Sequence, residues 1–346
     1  MDIRNRRALK QTANARLAEA AYDPKMLALI HTGISLGAGL IVALVNYYLS
    51  HQIDSAGGLS GMGTRSVLET VQTTLQYVLT FVLPFWEIGF VYAALRMARG
   101  QRADFDSLLE GFRQFRPVLR LKLLQIALYL GVGIICMYAG SFLFMLTPAS
   151  VKMMESFLPI MESGGSIEQM EAAMAAIPLE ELMQMMAPFL VIFGILFAAV
   201  AIFLFYRFRM AEFIVMDQPK TGPWRALRQS SRMTRRKRMD LLKLDLSFWW
   251  FYLLLAVSAA VSYGDLLLPW MGISLPISED LAWIVFYLLG MVVQLVVFWY
   301  AFSYVQTTYA TAYDVLLQQK DTEQPQQVQP EEKEPKSLPW NDYNEA

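Results

Sequence analysis

The sequence predicts an all-α, polytopic membrane protein with six transmembrane helices and interfacial amphipathic helices on the cytoplasmic side. Three observations carry that reading. Hydrophobic residues make up 55% of the chain and charged residues 17%, against roughly 45–50% and about 25% in soluble domains. The apolar residues are gathered into blocks close to the length of a membrane span. Basic residues are concentrated in alternate connections between those blocks, as the positive-inside bias requires.

The spans follow from length. A bilayer core about 30 Å thick needs roughly 20 apolar residues of helix. Six stretches meet or approach that length: 26–49, 75–95, 123–146, 187–206, 246–263 and 281–304, the fifth being the shortest. They are expected to be helices because an unpaired backbone amide in hydrocarbon costs several kcal/mol. The alternating segments of a transmembrane barrel are absent from the sequence. Of the 29 Lys and Arg residues, all but Arg65 and Lys152 precede the first span, lie in alternate loops or fall in the tail. Both termini are therefore expected in the cytoplasm. Acids such as Glu155, Glu162, Glu168, Glu171, Glu180 and Glu181 fall in the opposite loop between the third and fourth spans. The leading residues are too charged for a secretory signal, so the first apolar run reads as a retained span.

Three segments follow in order: a cytoplasmic N-terminal amphipathic segment (1–25), the six-helix domain (26–317) and a Gln/Glu/Pro-rich tail (318–346). The tail carries too little apolar surface to fold. In the first long cytoplasmic loop, Phe105, Leu108, Leu109, Phe112, Phe115 and Leu119 recur at helical spacing. This predicts an amphipathic helix in the membrane interface, kinked or ended by Pro117. Trp224, Leu227, Leu241 and Leu242 outline a weaker counterpart before span five, and Leu9, Ala13 and Leu17 a third within 8–20. The rhythm suggests three units, each an interfacial helix followed by a transmembrane hairpin. The outer segment 147–186 is methionine-rich and divided by Gly164-Gly165, which predicts two short helices over the mouth of the bundle.

Two clusters are candidate sites. Glu87 lies within span two, beside Trp86 and three residues after Pro84. A carboxylate at that depth is costly and points to function by default, although hydrogen bonding to a neighbouring helix would also account for it. Pro84 frees the carbonyl of Thr80, and His31 in span one is a candidate partner for Glu87. The second cluster is the basic run Arg232, Arg235, Arg236, Lys237 and Arg238. It reads either as a contact for anionic lipid head groups or as a topological anchor. The outer methionines raise soft-metal binding, but only Met183-Gln184-Met185-Met186 has suitable spacing, and Met is also an adaptable apolar filler.

Catalytic signatures are not found. There is no nucleophile elbow, phosphate-cradling glycine loop, H-E-x-x-H or zinc-ligand spacing. Two histidines and the single Cys136 offer little for metal or acyl-transfer chemistry. No cofactor or metal is called for, and no nucleic-acid motif is present.

Four segments carry a resemblance. Asn5-Arg6-Arg7-Ala8-Leu9-Lys10 with Ala13-Asn14-Ala15-Arg16-Leu17 opens the chain. Ala226-Leu227-Arg228-Gln229-Ser230-Ser231-Arg232-Met233 forms a basic segment. Leu241-Leu242-Lys243-Leu244-Asp245-Leu246-Ser247-Phe248-Trp249-Trp250 runs from basic loop into an aromatic helix start. Tyr309-Ala310-Thr311-Ala312-Tyr313 closes the last helix. Together they resemble the bacterial integral membrane family called domain of unknown function 975. The resemblance implies a multi-span bacterial membrane protein and brings no activity or catalytic residue. The methionine-rich segment and the tail do not share it.

The expected function is that of a non-enzymatic factor in the cell membrane. It would act through membrane lipids, with anionic head groups at the cytoplasmic face, or through a membrane protein partner. The alternative is a small-solute or lipid transporter or channel that uses Glu87, and an enzyme acting on a lipid-linked substrate comes third.

Overall fold

The computed structural model describes residues 2–55, 62–162, 179–273 and 276–323. All regular structure among them is helical. In chain order the helices are α1 (Arg6–Ala18), α2 (Pro24–Ser55), α3 (Met62–Ala98), α4 (Phe105–Leu108), α5 (Glu110–Arg113), α6 (Phe115–Met145) and α7 (Pro148–Glu162). They continue with α8 (Leu179–Phe208), α9 (Ala211–Asp217), α10 (Pro223–Met233), α11 (Arg238–Leu246), α12 (Trp249–Ser262), α13 (Gly264–Trp270) and α14 (Glu279–Glu323).

Five helices are long and apolar enough to cross a membrane, and a sixth crossing would need α11 and α12 to act together across a 60° bend. The bend falls at Ser247-Phe248, where the fifth span was expected to be continuous. Lys10 on α1 donates to the Ser247 carbonyl at 2.8 Å and sits over the Phe248 ring at 3.9 Å. Arg6 donates to the Lys243 carbonyl at 3.3 Å. The Ser247 carbonyl at the bend, and the Lys243 carbonyl that also accepts from the Ser247 amide, thus gain cationic donors from the N-terminal helix.

α14 is the axis of the bundle and packs against α12, α2, α3 and α1, while α6 pairs with α8. The core is concentrated towards one end of the bundle. It joins Leu9 and Leu27 to Phe90, Met97, Leu108 and Leu121, then to the α9 residues Phe213–Met216, Leu227, Leu241, Leu244 and Phe248. Tyr309 and Tyr313 complete it from α14. These residues flank the basic connections. Further along the spans the apolar side chains face outwards, among them Leu130, Ile135, Tyr138, Phe142, Ile195 and Val292. Such continuous apolar surface is suited to hydrocarbon and not to water.

The first amphipathic loop is not one helix. It is two single turns, α4 and α5, and Pro117 stands in the first turn of α6, where a missing N–H costs nothing. The segment docks on α3. Phe85 stacks with Phe115 at 4.8 Å and Phe112 at 6.0 Å, and Trp86 meets Phe105 at 6.4 Å. Backbones touch here: a Cβ on Gly89 would lie 1.8 Å from the Leu108 carbonyl oxygen, and one on Gly111 would lie 2.0 Å from that of Phe85. On α1 and α10, Leu9, Ala13 and Leu227 are buried, whereas Trp224 is exposed, as are Phe105, Phe112 and Phe115 of the first amphipathic loop.

Two other boundaries differ from expectation. Residues 179–186 form the opening turns of α8 and not a separate outer helix, and α14 runs to Glu323, past the expected start of the tail. α7 accounts for one outer helix. The remainder of the methionine-rich segment, 163–178, and the tail from 324 onward lie outside the described residues.

Candidate functional site

Two groups of charged residues hold the core end together. Asp245, 8% exposed, is the centre of the first. It accepts hydrogen bonds from Tyr206 at 2.7 Å and from Tyr309, and Arg209 approaches to 3.9 Å. Tyr252 meets Tyr309 hydroxyl to hydroxyl at 3.1 Å, and Arg209 lies over the Tyr309 ring at 4.3 Å. A buried carboxylate persists where several donors replace its water.

The second group is Arg99, which pairs with Asp217 at 2.5 Å and with Asp314 at 2.8 Å. Tyr313 also donates to Asp217, at 3.0 Å. Hydrogen bonding to Asp217 raises the Arg99 guanidinium above its ordinary value. The group ties α3, α9 and α14 into one end plate. Arg99→Gln leaves the two aspartates without their shared cation, and we expect a loss of about 1.5–3 kcal/mol in unfolding free energy, read by denaturant titration in detergent. A change below about 0.5 kcal/mol would mark the pair as solvent-screened.

The basic run is split by the fold. Arg232, Arg235 and Arg238 line a cavity of about 780 Å³ together with Arg207 and Arg228. Arg236 and Lys237 do not line it, and Lys237 turns to Asp2 at 3.4 Å. The cavity has apolar walls from Leu128, Val132 and Leu204, with Trp224 at its edge, and no acid lines it among the described residues. None of its five arginines makes an ion pair with a carboxylate among the described residues. Its geometry is set by hydroxyls on α10. Ser230 and Thr234 each donate to the Arg207 carbonyl at 3.1 Å, closing the end of α8, and Ser231 accepts from Arg207 Nε at 2.8 Å. Arg238 lies over Phe203 at 4.5 Å with its Nε buried and unpartnered.

Glu87 and His31 share a second cavity, of about 370 Å³, with Gln294, Gln306, Arg209 and Glu212. They do not pair as expected. The His31 ring stacks with Trp86 at 5.3 Å and with Phe302 at 5.6 Å, and the Trp86 indole donates to the His31 carbonyl at 3.0 Å. Both ring nitrogens of His31 are buried without a partner among the described residues. Glu87 is exposed to the cavity, and Lys122 and Glu212 are the charges near it. Lys122 is itself bound to Glu212 at 2.6 Å.

Arg207 and Arg209 were not singled out in the sequence, nor were Tyr206 and Tyr252, while Arg228, Asp245 and Tyr309 entered only within the segments that carry the family resemblance. Arg207 and Arg209 carry one available signal: both lie at the end of an apolar stretch, beside Phe205, Tyr206 and Phe208. Among the described residues, no group of three or more His, Cys, Asp or Glu residues is placed to hold a metal.

Five or six long apolar helices that could span a membrane, around a charged end plate, suggest a multi-pass membrane protein. The chain belongs to the family described as protein of unknown function (DUF975), whose model matches residues 4–320. No curated protein and no solved structure matches the chain. Segments that carry the family resemblance meet in the core. Asp245 of one bonds Tyr309 of another, and Lys10 of the opening motif reaches the Ser247-Phe248 bend.

Proposed function

We propose that the protein is a non-enzymatic membrane factor that binds phosphate-bearing anionic lipid head groups at the cytoplasmic face. The observation that carries this reading is the arginine-walled cavity between the end of α8, α10 and the start of α11. Five guanidinium groups without carboxylate partners favour a phosphate, which arginine binds with paired hydrogen bonds. The apolar wall from α6 and α8 suits the acyl chains of the same molecule. Supporting the placement, all basic residues except Arg65 and Lys152 fall on one side of a six-span reading, with both termini cytoplasmic and the fifth span broken at Ser247-Phe248. The helices α1, α4, α5 and α10 then lie on the cytoplasmic side, docked on the bundle.

The test compares paired variants in nanodiscs of phosphatidylcholine and phosphatidylglycerol, with lipid retained after detergent exchange measured by mass spectrometry. Combined Arg232→Gln and Arg235→Gln should cut retained phosphatidylglycerol at least tenfold, at about 1.5–3 kcal/mol per charged hydrogen bond lost. Arg236→Gln, outside the cavity, should change it less than twofold. Equal effects would make the run a topological anchor only.

The alternative, a small-solute or lipid transporter using Glu87, is favoured by the cavity that Glu87 lines. Under it, Glu87→Gln should abolish flux from proteoliposomes while leaving folding intact.

A further inference from the structure

We infer that the cavity lined by Glu87 is a binding site for a primary alkylammonium group, the chemistry of ethanolamine. This does not rest on the lipid-phosphate reading, which concerns a different cavity and the opposite charge. Four features converge.

The first is charge. Lys122 neutralises Glu212, and Arg209 faces Asp245, so the carboxylate of Glu87 is left without a direct counter-ion. One cation balances the cavity. The second is a set of unused polar atoms that includes two acceptors, the unprotonated ring nitrogen of a neutral His31 and the Thr32 hydroxyl oxygen. His31 is 4% exposed and Thr32 is 3% exposed, and the His31 nitrogens and the Thr32 hydroxyl have no partner among the described residues. Both residues line the cavity, and Gln294 and Gln306 add amide carbonyls. Buried acceptors left unpaired are costly, and a bound donor relieves that cost. An ammonium with three N–H groups donates to several such acceptors at once, whereas a quaternary ammonium donates to none.

The third is the wall. Phe90, Phe298 and Phe302 line the same space and pack on one another, with Phe298–Phe302 and Phe90–Phe302 both at 4.6 Å. Aromatic faces attract cations and also receive a short alkyl chain. The fourth is size. About 370 Å³ is at the small end of ligand cavities, room for a head-group-sized molecule and not for a whole lipid.

The ammonium has two sources, free amine or the head group of phosphatidylethanolamine, and the experiment separates them. The full chain in nanodiscs of phosphatidylglycerol alone, which carries no amine, is titrated calorimetrically with ethanolamine hydrochloride. Sodium chloride and choline chloride serve as controls. Saturable ethanolamine binding is expected, with choline at least tenfold weaker. Glu87→Gln should weaken ethanolamine at least tenfold, and His31→Phe, which keeps the ring stack, several-fold. In nanodiscs containing phosphatidylethanolamine, a lipid source predicts one retained phosphatidylethanolamine that blocks the titration and is lost in Glu87→Gln. A free-amine source predicts an unaltered titration. Thermal melting of each variant separates loss of the site from loss of the fold, and His31→Phe decides where Glu87→Gln does not accumulate. The proposal is overturned if ethanolamine binds no better than sodium while phosphatidylethanolamine is not retained, or if both effects survive Glu87→Gln and His31→Phe.

Discussion

Asp245→Ala is expected to unfold the core end of the bundle. The carboxylate is the acceptor for Tyr206 and Tyr309 and the counter-charge for Arg209. Removing it leaves two hydroxyls without their acceptor and a guanidinium without its anion, in a region where water does not replace them. Breaking a buried charged group of this kind costs about 3–5 kcal/mol, a large share of the roughly 5–15 kcal/mol that holds a domain folded. Asp245→Asn keeps one oxygen acceptor and should lose clearly less. Thermal unfolding in detergent, followed by near-ultraviolet circular dichroism of the packed aromatics, reads both variants. Equal, small losses in the two would show that the tyrosines find other partners.

Gly89→Ala is expected to displace α4 from α3. The added carbon would stand 1.8 Å from the Leu108 carbonyl oxygen and 2.7 Å from its carbonyl carbon. Both are backbone atoms, so no rotamer change relieves the overlap. Overpacking usually costs about 1–3 kcal/mol, and this contact belongs at or above the upper end. Gly111→Ala meets the Phe85 carbonyl in the same way and should behave alike. The matched control is Gly131→Ala on α6, where nothing lies within 4 Å of the new carbon. There the better helix propensity of alanine should leave stability unchanged or raise it by up to about 1 kcal/mol. Protease sensitivity of the loop between α3 and α6 reports the displacement directly.

The spans were legible because lipid imposes a length and an apolar composition that a one-dimensional reading detects. Glu87 stood out for the same reason, since a carboxylate within a long apolar helix is an exception to a local rule. What the sequence concealed are pairings across long separations. Asp245 lies 64 residues from Tyr309, and Arg99 lies 215 from Asp314. Neither partner has a spacing that announces the other. The first amphipathic loop was expected as one helix and is two turns packed on α3, because its apolar period does not register a break between them. The deciding contact is the backbone approach at Gly89 and Gly111, to which periodicity is blind. The basic run was read as a single patch. Its division follows from Thr234, which ends α10 on the Arg207 carbonyl, so that Arg235 joins the cavity while Arg236 and Lys237 turn away.

The central claim is that the arginine cavity holds a lipid phosphate. It is tested most directly by photo-crosslinking in nanodiscs with phosphatidylglycerol carrying a diazirine beside its head group, followed by peptide mapping. The account expects adducts concentrated on α10 and the adjoining ends of α8 and α11, greatly reduced when Arg232 and Arg235 are both glutamine and unchanged when Arg236 is. Adducts spread evenly over all the basic connections, insensitive to either substitution, would contradict it.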